Sequence, residues 1–352
     1  MLDSSEFIAK YDQHDALGVI AGQPDQLLQA YGELDLPSAD GLSSIVLTGM
    51  GGSALDAEFV KNWLGDRLKL PFEIIRGYEL PAFVGKDTLV IASSYSGNTE
   101  ETVSALADAE ARGARIIVIA SGGKLIEAAK TRGHAHVRTL PEGHPHFDLP
   151  AGLQPRLAVL YGVKALVSLI EHLGLLTGLS DELQAASAWV KTKQPAWQAA
   201  SPMADNPAKR IATALHGHPV VVYGGPTLSL PTMKWKIDIN ENSKQLAFYN
   251  NFSELDHNEF NGWSHPVPNN FRVVELRSDL DHPQIQKRFD VTNKLLADRF
   301  APIEVVADGE TKLQQMLYTL LLGDYVSAYL AFLNEIDPTP VDLIEELKRE
   351  LA

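Results

Sequence analysis

Apolar positions along the chain fall into two rhythms, short unbroken runs and longer stretches with helical spacing. The runs Ser43–Leu47, Phe72–Ile75, Thr88–Ala92 and Arg115–Ala120 predict buried strands. Between them, Leu55, Phe59, Val60 and Trp63 mark the inward face of one helix, and Val103, Leu106 and Ala107 that of another spanning 101–112. Residues 5–34, with Phe7, Ile8, Leu17, Ile20, Leu27 and Leu28 at helical spacing, predict a helical layer at the N-terminus. The pattern dissolves between about 138 and 155 into Pro141, Gly143, Pro145, Pro150, Gly152 and Pro155, which reads as a connection. A long apolar helix, 156–173, and further helical sequence over 180–216 follow. Strand and helix then alternate again: Pro219–Tyr223, a helix to about Asn242, Phe271–Leu276, a helix over 282–298, Ile303–Val306, and a helix over 310–333. Strands alternating with helices at this spacing predict an α/β fold with parallel, doubly wound, flavodoxin-like sheets flanked by helices. The grammar occurs twice, so two similar α/β domains are expected, divided as 1–155 and 156–352.

Composition narrows the function classes. A net charge of −15 disfavours nucleic acid and anionic membranes as partners. No cysteine is present, which removes disulfides, thiolate metal sites and a cysteine nucleophile. The segment Met1–Glu6 lacks the basic-then-apolar pattern of a signal peptide, and the apolar stretch Met316–Leu333 is broken by Gly323 and Asp324. A cytoplasmic protein with no membrane span is the expectation.

Two strand-to-helix turns carry the candidate chemistry. Ser94-Tyr95-Ser96-Gly97-Asn98-Thr99 supplies three hydroxyls and a glycine where the first amides of a helix lack partners and the helix dipole adds positive charge. Read blandly, it is an ordinary βα turn capped by Asn98 or Thr99. Gly49-Met50-Gly51-Gly52-Ser53-Ala54 also fits the G-x-G-x-x-A dinucleotide fingerprint, but the acidic residue such a site wants is represented only by Glu79 in a loop. Two such turns would meet at the carboxyl edge of the sheet and form a phosphate or sugar-phosphate pocket. Arg156, at the start of a helix where its charge opposes the dipole, calls for an anionic partner. Glu241, flanked by Asn240 and Asn242, and His257, in a polar loop, could together move protons, although either alone is more often a solvated side chain. His134 and His136, and His144 and His146 with Asp148, have H-x-H spacing in Gly/Pro-rich loops, a poor match to metal-ligand spacing.

Gly49–Ser53, Ser94–Thr99, Pro155-Arg156, Asn240-Glu241-Asn242-Ser243-Lys244, His257-Asn258 and Leu347-Lys348 occur in that order. This set resembles the bifunctional phosphoglucose/phosphomannose isomerases, a branch of the sugar-isomerase (SIS) domain superfamily, from about residue 45 to the C-terminus. The resemblance implies two SIS-type domains and an aldose–ketose isomerase of hexose 6-phosphates, working through a cis-enediolate without cofactor or metal. It implies that Gly52, Ser53, Ser94, Ser96 and Thr99 hold the phosphate, that Glu241 is the base between C2 and C1, and that Arg156 stabilises the enediolate. It further implies that His257 and Lys348 assist ring opening, with His257 contributed across a homodimer that completes the active site. Ser253-Glu254 stands where the family often has Pro-Glu. Thr339 is the candidate for the small residue linked to mannose tolerance. Another isomerase of sugar phosphates such as amino sugars, or a non-catalytic SIS sensor, are the rival readings; a sensor would need the serine turns and Arg156 but no base.

Overall fold

The computed structural model describes residues 1–32, 34–140, 153–265 and 270–351. The chain divides into two compact units, Gln23–Ser187 and Met1–Gly22 with Ala188–Ala352. These bounds differ from the division at 155 read from the sequence in where residues 1–22 and 156–187 belong.

The N-terminal layer comprises α1 (Ser5–Tyr11) and α2 (Ala16–Gln26). The first sheet then builds from β1 (Ser44–Thr48), α3 (Gly52–Leu64), β2 (Phe72–Ile75), β3 (Thr88–Ser94), α4 (Glu100–Ala111), β4 (Arg115–Ala120), α5 (Gly123–Arg132) and β5 (Ala135–Val137). All its strands are parallel, in the order β2-β1-β3-β4-β5. Every residue of β1 and β3 is buried, as a sheet covered on both faces requires. The right-handed rule for such connections places α3, on the reversed crossover from β1 to β2, on one face of the sheet, and α4 and α5 share the other. Val46, Val90, Ala92 and Val118 pack there with Leu106, Leu125 and Ile126. The buried stripe of α4 is Thr102, Ala105, Leu106 and Ala109; Ala107, expected inside, is exposed. The pattern of α3 holds as read, with Leu55, Phe59, Val60 and Trp63 all buried.

The long helix expected over 156–173 is shorter. Pro155–Leu157 form a 3₁₀ turn, and α6 runs Val159–His172 and packs against α3. Arg156 therefore lies in the turn before the helix, not at the helix start, because proline opens a tight turn there. After α7 (Leu179–Lys191) and α8 (Pro207–Leu215), the second sheet uses β6 (Val220–Gly224), α9 (Ser229–Glu241), β7 (Ala247–Asn251), the short α10 (Glu259–Gly262), β8 (Arg272–Arg277), α11 (Pro283–Leu295) and β9 (Ile303–Val306). Its parallel order, β7-β6-β8-β9, repeats the first sheet's scheme. In α12 (Lys312–Leu333) the apolar window long enough to cross a membrane is 94% buried inside the protein, against α8 and α9. The chain ends in α13 (Asp342–Leu351), which buries none of its residues.

Candidate active site

In the first sheet the strand order reverses between β1 and β3, and α3 and α4 leave those two strands in opposite directions. Ligands of open α/β sheets bind in the crevice at such a switch point. Both helices start there without a side-chain cap: Gly51 precedes α3, and Thr99 precedes α4 with its hydroxyl turned elsewhere. That hydroxyl lies 2.8 Å from Ser94 Oγ, which also accepts the Gly97 N–H at 3.1 Å. Ser53 Oγ accepts the Tyr95 N–H at 3.0 Å, joining the two turns, and exposed Ser96 accepts the Asn98 N–H at 3.2 Å. The first-turn amides of α4 are thus left for an anion, whereas in α3 the Ser53 and Ala54 N–H groups donate to the Met50 and Gly51 carbonyls, both at 3.1 Å, so that turn offers chiefly the Ser53 hydroxyl. Glu100 and Glu101, in the first turn of α4, oppose a negative ligand and limit its net attraction. Gly97 is required twice, since its φ is +70° and a Cβ there would lie 1.8 Å from the Gly122 carbonyl oxygen.

Arg156 is brought to the same place. A Cβ on Gly52 would stand 2.7 Å from the Pro155 carbonyl oxygen, so the glycine lets the Pro155–Leu157 turn seat on the start of α3. The Arg156 side chain is 2% exposed, and its Nη1 donates to Gln154 Oε1 at 3.2 Å. Gly52, Ser53, Tyr95, Thr139 and Pro155 line a cavity of about 10 Å³, room for one water. Asp56 lines it too, and sequence reading missed it. Burial pushes its carboxyl well above the usual range, opposed by the Ala57 N–H at 2.7 Å. The available signal was an acidic residue on the otherwise apolar face of α3.

The remaining predicted residues belong to the other unit and stand on separate elements. Glu241 is the last residue of α9. Its neighbours fix the turn around it: Asn240 Oδ1 accepts the Ala247 N–H at 2.8 Å, and Asn242 Nδ2 donates to Ser327 Oγ at 2.8 Å. Lys244 donates to the carbonyls of Asp337 and Pro338, both at 3.0 Å, and Asp337 Oδ1 accepts the Thr339 N–H at 2.8 Å. The segment carrying Thr339 is thereby tied to the turn carrying Glu241. His257 closes the 3₁₀ turn Glu254–His257, is exposed, and makes no side-chain hydrogen bond among the described residues. Lys348 lies exposed on α13, 2.6 Å from Glu345.

The switch point of the second sheet is closed. The Thr227 N–H, at the turn after β6, donates to Asp281 Oδ1 at 2.9 Å, so an internal carboxylate takes the anion's place. Of the two histidine pairs only the first is described: His134 bonds Glu110 at 2.7 Å and the His136 ring meets the His134 carbonyl. His144, His146 and Asp148, with most of the proline-rich connection, lie outside the described residues.

Comparison with known proteins identifies the domains and the family. Residues 42–147 match the SIS domain, and residues 204–351 match the bacterial phospho-glucose isomerase C-terminal SIS domain. The bifunctional phosphoglucose/phosphomannose isomerase of Caldicellulosiruptor bescii is 38% identical over 318 residues, 89% of this chain and 91% of that one. The bifunctional phosphoglucose/phosphomannose isomerase of Aquifex aeolicus is 37% identical over 310 residues, 87% of this chain and 90% of that one. Among solved structures, the C-terminal domain of glucosamine-fructose-6-phosphate aminotransferase from Francisella tularensis superposes with a TM-score of 0.68 at 15% identity, covering 93% and 98% of the two chains, a likeness of fold alone. By sequence identity along nearly its whole length, and by both of its SIS domains, the chain belongs to the bifunctional phosphoglucose/phosphomannose isomerase family.

Proposed function

We propose that this protein interconverts glucose 6-phosphate, and mannose 6-phosphate, with fructose 6-phosphate. The observation that carries the reading is the pair of uncapped helix N-termini at the β1/β3 switch point, furnished with Ser53, Ser94 and Thr99 beside buried Arg156. A phosphate ester is held there by amides and hydroxyls, with Gly52 allowing close backbone approach and Ser96 at the rim. His257 and Lys348 act on the closed sugar, one taking the anomeric hydroxyl proton while the other protonates the ring oxygen, which frees the carbonyl. Glu241 removes the proton from C2 of the aldose, whose acidity comes from the adjacent carbonyl, and returns it to C1 of the enediolate while the hydroxyl proton passes from O2 to O1, leaving the carbonyl at C2. The guanidinium of Arg156 balances the negative charge that develops on the enediolate oxygens. A base fixed on one face delivers one C2 configuration, so forming both epimers requires the enediolate to turn its other face at C2 toward Glu241 by rotation about C2–C3, for which Thr339, beside the turn of Glu241, leaves room. The enzyme works in the cytoplasm as a homodimer, His257 reaching the partner's site; its exposure and its lack of a side-chain partner within the described chain support that role. Supplying fructose 6-phosphate and assaying glucose 6-phosphate and mannose 6-phosphate separately tests the function. Formation of both products is expected. Binding of the sugar phosphate without turnover would replace the isomerase with a sensor.

A further inference from the structure

A fully buried charged cluster of the second unit is one that the mechanism does not use. Lys234 and Asp238, one turn apart on α9, and Asp324 on α12 have no exposed side-chain surface. Lys234 Nζ lies 2.6 Å from both carboxylate oxygens of Asp238 and 2.7 Å from Asp324 Oδ1. Removing two carboxyls and one ammonium from water costs several kcal/mol per ion, and apolar residues of similar volume commonly stabilise such a site equally well or better. The cluster is therefore poor glue. What it supplies is direction, since short charged hydrogen bonds fix both the rotation and the axial register of α9 against α12, whereas apolar packing tolerates slippage.

Glu241 lies one turn beyond Asp238, and the bonds continue past it. Asn242 Nδ2 donates to Ser327 Oγ and Ser243 Oγ donates to the Ser327 carbonyl at 2.7 Å, while Ser327 Oγ donates to the Asp324 carbonyl at 2.8 Å. The backbone of Glu241 is thus pinned on both sides to the single turn 324–327 of α12. We propose that Lys234, Asp238, Asp324 and Ser327 are positioning residues that set the carboxylate of Glu241 against the reacting carbons. The proposal rests on the reading of Glu241 as the base.

The test is a cycle of variants assayed on fructose 6-phosphate. Lys234→Met, Asp238→Leu and Asp324→Leu are combined, Ser327→Ala is made alone, and each is also placed on Glu241→Gln. The combined variant is expected to fold and melt no lower than wild type, with kcat reduced about 10- to 100-fold and KM changed less than about threefold. Ser327→Ala is expected to lose kcat in the same sense but less. On Glu241→Gln, neither change should lower the residual rate further, because the group they position is already gone. Undiminished kcat, or losses that multiply with that of Glu241→Gln, would overturn the positioning role. Should the combined variant not fold, Ser327→Ala decides by the same cycle. Wild-type kcat in Glu241→Gln alone would instead remove the base assignment, and so keeps the two failures distinct.

Discussion

Ser94 Oγ and Thr99 Oγ1 lie 2.8 Å apart, and this one contact leaves the N-terminus of α4 without a side-chain cap. A threonine at that position would ordinarily bond the amides of its own helix. Here it faces back toward the strand, so the amides remain for a ligand. Replacing Ser94 by Ala removes the partner of Thr99 and the acceptor of the Gly97 N–H. Hydrogen bonds to a charged group contribute on the order of 1.5–3 kcal/mol, so KM for fructose 6-phosphate should rise about 10- to 100-fold with a smaller fall in kcat. Inorganic phosphate as a competitive inhibitor should weaken in parallel. Unchanged phosphate inhibition would contradict the cradle.

Gly52 and Pro155 define a second contact with a measurable consequence. A methyl group at 52 would stand 2.7 Å from a backbone oxygen, which cannot swing aside as a side-chain end could. Gly52→Ala should therefore displace the Pro155–Leu157 turn and Arg156 with it. The expected result is a fall in kcat of about 10²-fold, near that of Arg156→Gln, in a protein that still folds. Steady-state kinetics of the two single variants and their combination check this, and a combined loss far beyond either single one would contradict a shared route.

Lys348 offers the reverse case. Because α13 buries none of its residues and Lys348 pairs among the described residues with exposed Glu345, Lys348→Ala should leave the melting temperature within about 1 °C. Its loss should appear instead in turnover of the closed sugars. A large drop in melting temperature would mark the residue as structural.

Glu275 gives a pH-dependent prediction remote from the chemistry. It is fully buried on β8, its Oε2 accepts from Asn293 at 2.9 Å, and its Oε1 has no partner among the described residues. Burial pushes its carboxyl up from 4.5 to about 7, opposed by the Asn293 bond and Arg277. The folded protein therefore holds a proton that the unfolded chain releases as pH rises above about 4.5, and stability falls through that window until about 7. Glu275→Gln has no such proton. It should be stabilised relative to wild type at pH 8 by on the order of 3 kcal/mol more than at pH 4, measured by denaturant unfolding. An equal difference at both pH values would show that the side chain is ionised in the fold.

Much of this architecture was legible because buried parallel strands write themselves as unbroken apolar runs. Phe72–Ile75, Arg115–Ala120 and Ile303–Val306 match their strands to the residue. β7 was not read, because its apolar run, Leu246-Ala247-Phe248-Tyr249, is only four residues long between Gln245 and Asn250, and as an edge strand it leaves Leu246, Phe248 and Tyr249 exposed. The serine turns could be read as an anion cradle from hydroxyls and glycines, but the choice between cradle and capped helix depended on where Thr99 points. The carboxylates that matter to the fold were harder. Asp324 was visible as a lone charge in an apolar helix, yet its partner Lys234 sits on a helix of mixed polarity 90 positions away, and only packing reveals the pair. Asp281 looked like a loop residue, and nothing in its neighbours announced that it would fill the second sheet's anion position.

The central claim is that the carboxylate of Glu241 carries the proton between C1 and C2. Incubating fructose 6-phosphate in deuterium oxide with wild type and with Glu241→Gln, and following deuterium entry at C2 of the aldose and at C1 of the recovered ketose by NMR, tests it directly. Wild type should incorporate deuterium as it forms aldose, and Glu241→Gln should do so at least about 10²-fold more slowly while still binding the sugar phosphate. Deuterium entry at the wild-type rate in Glu241→Gln would contradict the account and send the search for the base elsewhere.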